Sequence, residues 1–485
     1  MNENNAPTPA PTHADAAQDV NPGDDLPFSR LPLAPATLAN LQQLGYLQMT
    51  PIQAASLPLA LAGQDIIAQA KTGSGKTAAF ALSLLTRLNP RRFAVQAMVL
   101  CPTRELAEQV TQEIRRLARG EDNIKVLPLC GGITMSKQLS SLEHGAHIVV
   151  GTPGRIMDHL QRRTLDLSAL QTLVLDEADR MLDMGFYEDM VTVVKACPAE
   201  RQTLLFSATY PTSIANLSQR FMRKPQMVTL PEQHDASKIR QRFYEIESEE
   251  DRLPAVAQLL KHFRPASTLA FCNTKNQCRD LLEVLRAEGF VALALHGELE
   301  QRERDQVLIQ FANRSCSVLV ATDVAARGLD IAQLEAVINV DVTPDAEVHV
   351  HRIGRTGRGD EEGWALSLVS GNEMGRADNL ERTNNFKLEW HPLSELSDTT
   401  GGKPLLPAMS TLLILGGRKE KIRPGDVLGA LTGDAGYSKE QIGKINVTDT
   451  TTYVAVERGI AREALRKLSD GTIKGKRVKV HLLHA

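Results

Sequence analysis

Asp65-Ile66-Ile67-Ala68-Gln69-Ala70-Lys71-Thr72-Gly73-Ser74-Gly75-Lys76-Thr77-Ala78 decides the fold. A short apolar run enters a turn that holds two glycines, and an amphipathic stretch follows it. Strand, glycine turn and helix in that order form the setting of a phosphate-binding loop. The turn Thr72, Gly73, Ser74, Gly75 lets backbone N–H groups curl around phosphate oxygens without a Cβ in the way. The start of the helix adds the positive end of its dipole. Lys76 is placed to reach the outer phosphates, and the Thr77 hydroxyl to bind Mg²⁺. Ala70 stands where the usual pattern has its first glycine.

Similar apolar runs recur on both sides of this stretch. Gln64–Ala70, Ala97–Cys101, His147–Gly151, Thr172–Asp176 and Thr203–Ser207 are short, rich in Val, Ile and Leu, and apolar on both faces. That pattern suits parallel strands joined by helical crossovers. Thr268–Cys272, Val291–His296, Ser317–Thr322, Val337–Asp341 and Ala365–Ser370 form a second series, and so a second parallel sheet. Polar breaks separate the parts. The expected organisation is a disordered tail at 1–25, a first α/β domain at 26–231, a linker at 232–238, a second α/β domain at 239–394, a linker at 395–407 and a small domain at 408–485. In the last part the order is strand, helix, two strands with Asp449-Thr450 in the turn, helix and strand. That βαββαβ order belongs to small RNA-binding folds with one open sheet face.

Composition narrows the class. The chain has 485 residues, 42% of them hydrophobic, which is ample for several packed cores. No run of about 18 apolar residues appears, and the start has neither a basic nor an apolar segment, so neither a membrane span nor a secretory leader is expected. The six cysteines, Cys101, Cys130, Cys197, Cys272, Cys278 and Cys316, form no CxxC pair and read as buried reduced thiols of a cytoplasmic protein. Net charge is −3. That argues mildly against a nucleic-acid partner, yet the stretch from Arg418 onward is basic, and a local patch can hold phosphates.

Asp176-Glu177-Ala178-Asp179 ends the apolar strand Leu173-Val174-Leu175, so its acids emerge at the carboxyl edge of the sheet, where open α/β sheets bind ligands. Asp176 is the natural Mg²⁺ partner, and Glu177 is placed to orient and deprotonate an attacking water. Together these motifs resemble those of the DEAD-box RNA helicase family, and the likeness runs from about Phe28 to Arg376. It implies an α/β fold of two tandem RecA-like parallel-sheet P-loop domains plus a small C-terminal α+β RRM-like domain. It implies ATP and Mg²⁺ as cofactors, Gln53 as reader of the adenine edge and Phe28 as an aromatic stacked on adenine. By the same resemblance Arg104, Gly132, Thr152 and Arg155 hold RNA backbone in the first domain, and Gly297 and Thr322 in the second. Ser207 and Thr209 are expected to bond Asp179 and couple the ATP site to RNA separation. Asp330 would touch the ribose, and Arg355 and Arg358 would be arginine fingers on the transferring phosphate. Val340 stands where many members carry an aromatic, and Asp360-Glu361-Glu362 adds acid after the last of these arginines.

The region from about Ala408 to the end resembles the C-terminal RNA-binding domain of the bacterial DbpA subfamily, with Arg418, Lys419, Lys421, Arg423 and Tyr453 as expected contacts. Tyr453 is the sole candidate for stacking on the sheet, so basic loops are expected to do more. The implied activity is an RNA-dependent ATPase that locally unwinds short structured RNA, with a large-subunit ribosomal RNA hairpin and pre-ribosomal particles as partners; the oligomeric state is left open, with a monomer favoured. An ATP-gated RNA clamp or assembly scaffold with little unwinding is the alternative. A DNA helicase is disfavoured by the Phe28/Gln53 pair and the DEAD string.

Overall fold

The computed structural model describes residues 26–70, 73–120, 123–210, 212–229, 238–326, 334–357, 362–384, 386–399 and 402–483. The expected tail at 1–25 and nearly all of the linker at 232–238 lie outside them.

The first lobe lays down β1 (Ile66–Gln69), β2 (Ala97–Leu100), β3 (Val126–Leu129), β4 (Ile148–Gly151), β5 (Thr172–Asp176), β6 (Gln202–Ser207) and β7 (Gln226–Thr229). They pair in parallel in the order β3-β4-β2-β5-β6-β1-β7. Side chains alternate across a strand, so β5 sends Val174 into one apolar layer and Leu173 and Leu175 into the other. Each such buried Val or Leu stabilises the lobe by about 1.5–3 kcal/mol. Two-sided burial is what made the central strands legible as unbroken apolar runs.

The second lobe repeats the plan with β8 (Ile239–Ile246), β9 (Thr268–Cys272), β10 (Ala292–Leu295), β11 (Val318–Thr322), β12 (Ala336–Asn339), β13 (Gly363–Ser370) and β14 (Trp390–His391). Their order, β10-β11-β9-β12-β13-β8-β14, is strand for strand that of the first sheet, and all pairs are again parallel. β3, β7, β8 and β14 have no counterpart among the expected runs. Pro128 interrupts β3, β7 is an exposed edge, β8 opens on the polar run Arg240-Gln241-Arg242, and β14 is two residues long. Glu395 and Leu396, at the start of the expected second linker, belong to this lobe. The Glu395 carboxylate accepts from the Tyr244 hydroxyl at 2.6 Å and from Arg242 at 3.2 Å, and Leu396 is buried in the core.

The C-terminal module has four antiparallel strands, β15 (Met409–Ile414), β16 (Ile442–Val447), β17 (Thr452–Glu457) and β18 (Val480–Leu482), in the order β16-β17-β15-β18. Val454 and Val456 of β17 pack against the helix Ala461–Asp470 with Leu412 and Ile414. The opposite face, expected open, is closed. Thr411 bonds the Ser315 hydroxyl at 2.7 Å and accepts from Asn313 Nδ2 at 3.2 Å, while Asn446 Nδ2 donates to Asn313 Oδ1 at 3.3 Å. Met409 N–H reaches the Arg314 carbonyl at 3.3 Å. The 313–315 turn of the second lobe thus covers the face that holds Tyr453. Sequence periodicity marks a face as apolar or polar but not which other part of the chain will cover it.

Candidate functional site

Gly75 ends the phosphate loop with φ +95°, a left-handed backbone open to glycine. A Cβ there would lie 2.5 Å from Gln53 Nε2 and 2.9 Å from Thr50 Oγ1. Gln53 props the turn from below. Its Nε2 donates to the Gly75 carbonyl at 3.0 Å, and its Oε1 accepts the Thr50 N–H at 2.9 Å. The helix Lys76–Arg87 starts from Gly75 with no side-chain cap, so its first N–H groups point into the loop. Lys76 is 6% exposed, and its Nζ has no hydrogen-bond partner among the described residues. A buried unpaired ammonium costs several kcal/mol, and an anion in the loop relieves that cost. Thr72 lies outside the described residues.

Asp176 closes β5 beside Lys76. Burial pushes its carboxyl up to about 7, against the pull of Lys76, with Glu177 crowding it further. A carboxylate that resists ionisation in this way is the group a divalent cation would stabilise, so Asp176, with the Thr77 hydroxyl at the helix start, fits a Mg²⁺ ion. Glu177 sits in the left-handed region at φ 52° and pairs with Arg180 at 3.2 Å. For a non-glycine residue that strain costs on the order of 1–3 kcal/mol, and it clusters at functional sites. Asp179 faces the other way. Its Oδ2 accepts the N–H of Ala208 at 3.1 Å, the N–H of Thr209 at 3.0 Å and the Thr209 hydroxyl at 3.1 Å. The Ser207 hydroxyl, expected to donate to that carboxylate, instead accepts the Asp179 N–H at 3.4 Å. Asp179 therefore ties the helix Ala178–Asp183 to the end of β6. Phe28 is 3% exposed and meets Tyr46 edge to face.

Arg104 and Thr152 stand at the starts of the helices Arg104–Leu117 and Pro153–Gln161, and Gly132 lies in the turn behind β3. Arg104 Nη1 is buried without a partner among the described residues. Arg155 is engaged, since its Nη1 donates to the Ile133 carbonyl at 2.9 Å and to Gln138 Oε1 at 2.7 Å. Gln138, which sequence reasoning missed, also meets His159 Nε2 at 3.0 Å and donates to the Cys130 carbonyl at 3.0 Å. It fixes the turn behind β3 to the helix Pro153–Gln161, and no local pattern announces it.

In the second lobe Gly297 is exposed and Thr322 is half-buried at the end of β11. Arg355 is 4% exposed. Arg358 and Asp330 lie outside the described residues. Arg352, which sequence reasoning missed, is the hub here. Its guanidinium grips Asp323 with two bonds of 2.7 Å, and donates to the Asp341 carbonyl at 2.8 Å and to Asn273 Oδ1 at 3.1 Å. Its place three residues before Arg355 was the available signal.

In the module Arg418, Lys419, Lys421 and Arg423 are all exposed, and Arg418 pairs with Asp449 at 3.0 Å. Gly417 lets this loop lie on the hairpin turn, because a Cβ there would meet the Thr448 carbonyl at 2.4 Å. Tyr453 is 3% exposed. The closed sheet face leaves its ring no surface on which a base stacks, which corrects its expected role.

A parallel α/β lobe with an unpaired lysine in a glycine loop behind β1 and carboxylates at the end of β5 defines a P-loop nucleotide-hydrolysing enzyme. The chain belongs to the DEAD-box family of ATP-dependent RNA helicases. The DEAD/DEAH box helicase model matches residues 50–217, the helicase conserved C-terminal domain 251–360 and the DbpA RNA binding domain 411–482. The ATP-dependent RNA helicase DbpA of Escherichia coli K12 is 52% identical over 452 residues, which cover 93% of this chain and 98% of that protein. The DEAD-box ATP-dependent RNA helicase CshA of Geobacillus kaustophilus is 42% identical over 362 residues, covering 75% and 77%. Among solved structures, S. cerevisiae Dbp5 bound to RNA and ADP BeF3 superposes with a TM-score of 0.71 at 30% identity, covering 77% of this chain and 97% of that one. The protein is thus an enzyme that binds RNA and ATP and couples ATP hydrolysis to RNA unwinding. Among the described residues no helix is long and apolar enough to cross a membrane.

Proposed function

We propose that this helicase opens short helices of large-subunit ribosomal RNA during ribosome assembly, with the C-terminal module choosing the hairpin. The observation that carries the catalytic part is the buried, partnerless Lys76 ammonium beside an Asp176 carboxyl raised by burial. Lys76 and the N–H groups of Gly73–Thr77 grip the outer phosphates of ATP, with Gln53 and Phe28 at the adenine. Thr77 and Asp176 would hold Mg²⁺, which when bound offsets phosphate charge. Glu177 orients water and takes its proton as the water oxygen attacks the γ-phosphorus and ADP leaves. Arg355 and Arg358 supply positive charge to the transferring group, and Asp330 meets the ribose. Asp179, held by Thr209 and by the Ser207–Asp179 contact, passes the state of the site to β6 and beyond.

Arg104, Gly132, Thr152, Arg155, Gly297 and Thr322 hold the backbone of one strand, which reads RNA without reading sequence. Selection then falls to Arg418, Lys419, Lys421 and Arg423, whose exposure on a glycine-pinned loop supports phosphate contact. Similarity to the E. coli DbpA protein across nearly the whole chain supports a shared target. The test is ATPase stimulation by ribosomal RNA fragments against unrelated RNA of equal length. Lys419→Glu/Lys421→Glu/Arg423→Glu should abolish the preference and leave generic stimulation. Equal stimulation by both RNAs in the unaltered chain would sink the ribosomal reading.

A further inference from the structure

At the edge of the second sheet, β14 and the turn behind β8 bound a groove of about 1160 Å³. Its rim carries Glu245, Glu247, Asp251 and Asp378, all exposed, and among its lining residues there is no lysine or arginine. Glu245, Glu247 and Asp378 have no ion-pair partner among the described residues. Trp390, on β14 itself, is 43% exposed over the groove, with its ring tilted 5.9 Å from Phe243. It is one of only two tryptophans in the chain. Among the described residues β14 is the last strand of its sheet, the position at which a sheet can take a further strand.

We propose that this groove docks an extended lysine- and arginine-rich segment of a partner protein. Three features converge on that occupant. A strand edge offers backbone pairing to an extended chain. An exposed indole offers its face to a guanidinium or ammonium, and tryptophan is the best ring for that contact. The unpaired carboxylates supply the complementary charge and repel nucleic acid, whose phosphates repeat the same sign. The acidic N-terminal residues of this same chain, among them Asp15, Asp19, Asp24 and Asp25, are excluded by charge. The residues that line the groove include none of the phosphate loop and none of the basic loop of the module.

The test uses the full chain, a short fluorescein-labelled arginine/lysine peptide and a glutamate peptide as control. Anisotropy should show saturable binding of the basic peptide alone, accompanied by a change in tryptophan fluorescence. Trp390→Ala should weaken binding by about tenfold, as a central aromatic anchor does, and Glu247→Lys/Asp378→Lys should abolish it. All are exposed side chains, so basal ATPase should match the unaltered chain and report correct folding. Saturating RNA and nucleotide should not displace the peptide. The proposal is overturned if the basic peptide fails to bind, if its affinity survives these substitutions, or if RNA displaces it. It is equally overturned if the peptide instead dissolves a dimer of the chain, since the occupant would then be a second copy.

Discussion

Behind β1 the chain turns through Gly73-Ser74-Gly75-Lys76. Behind β8, at the same place in an identically ordered sheet, it turns through Glu247-Ser248-Glu249-Glu250-Asp251. The first turn leaves a lysine unpaired and a helix start uncapped. The second satisfies two of its acids from within: the Ser248 hydroxyl donates to Asp251 at 2.8 Å, and Glu249 takes two bonds from Arg252 at 2.7 and 2.8 Å. Buried positive charge in the second lobe sits at Arg252, bonded to that turn, and further along at Arg352 and Arg355. The same scaffold thus carries an unsatisfied anion site in one lobe and, in the other, an acidic turn that leaves Glu247 open to a cation. Chemistry lives in the turns and not in the sheet.

The largest expected effect tests the first half of that contrast. Glu177→Gln keeps the shape of the strained residue and removes its basicity. Nucleotide titration should be unchanged while single-turnover hydrolysis falls about 10²–10⁴-fold. Ordinary turnover would remove Glu177 as the base and with it the claim that the first lobe does the chemistry.

Arg352→Met tests the second half. It strips a buried guanidinium from Asp323 and leaves that carboxylate without its partner, a change worth about 3–5 kcal/mol. Both tryptophans, Trp364 and Trp390, belong to the second lobe, so tryptophan fluorescence follows the unfolding of that lobe alone. Its denaturation midpoint should drop sharply while nucleotide binding by the first lobe holds. Loss of both together would mean that the lobes are not the independent scaffolds their sheets suggest.

A smaller effect comes from acid. Burial, helped by the nearby Arg352 charge, pushes the His349 imidazole down to about 3, with Gln241 at 3.3 Å and the Phe243 ring against it. Its unfolded value is near 6.5. Above that pH both states are neutral and nothing is gained or lost. Below it the unfolded chain takes a proton that the folded lobe refuses, so stability falls as pH drops from about 6.5 towards 3, by on the order of a few kcal/mol. His349→Gln should flatten the acid limb of the fluorescence-monitored stability. An unchanged limb would place the acid sensitivity elsewhere.

How much of this was legible in the sequence follows the same division. β5 and the loop around Lys76 could be read because local features settle them: an apolar run, glycines at fixed offsets and acids at a strand end. Gln138 and Arg352 could not, because each acquires its role from chain outside its own element, Cys130, Arg155 and His159 for one, Asn273, Asp323 and Asp341 for the other. Tyr453 was misjudged for a related reason. Its strand and register are local, while the cover provided by the 313–315 turn is not. Thr72, Asp330 and Arg358 fall outside the described residues and stand as proposals.

The smallest effect separates unwinding from clamping. Thr209→Val keeps volume and removes one of the three donors that Asp179 Oδ2 accepts from the end of β6. The two remaining backbone donors keep the carboxylate satisfied, so stability should fall by only about 1 kcal/mol. Lys76, Asp176 and Glu177 are untouched, and RNA-stimulated hydrolysis should stay within about twofold of the unaltered chain. If Asp179 passes the state of the phosphate site to β6, the number of duplexes separated per ATP should fall more than the hydrolysis rate does. Strand displacement and phosphate release, measured on one RNA hairpin, give that ratio directly. A ratio unchanged in Thr209→Val would mean that β6 does not carry the signal. No displacement by the unaltered chain, with hydrolysis intact, would favour the clamp, and the link between Asp179 and Thr209 would then govern how long RNA is held.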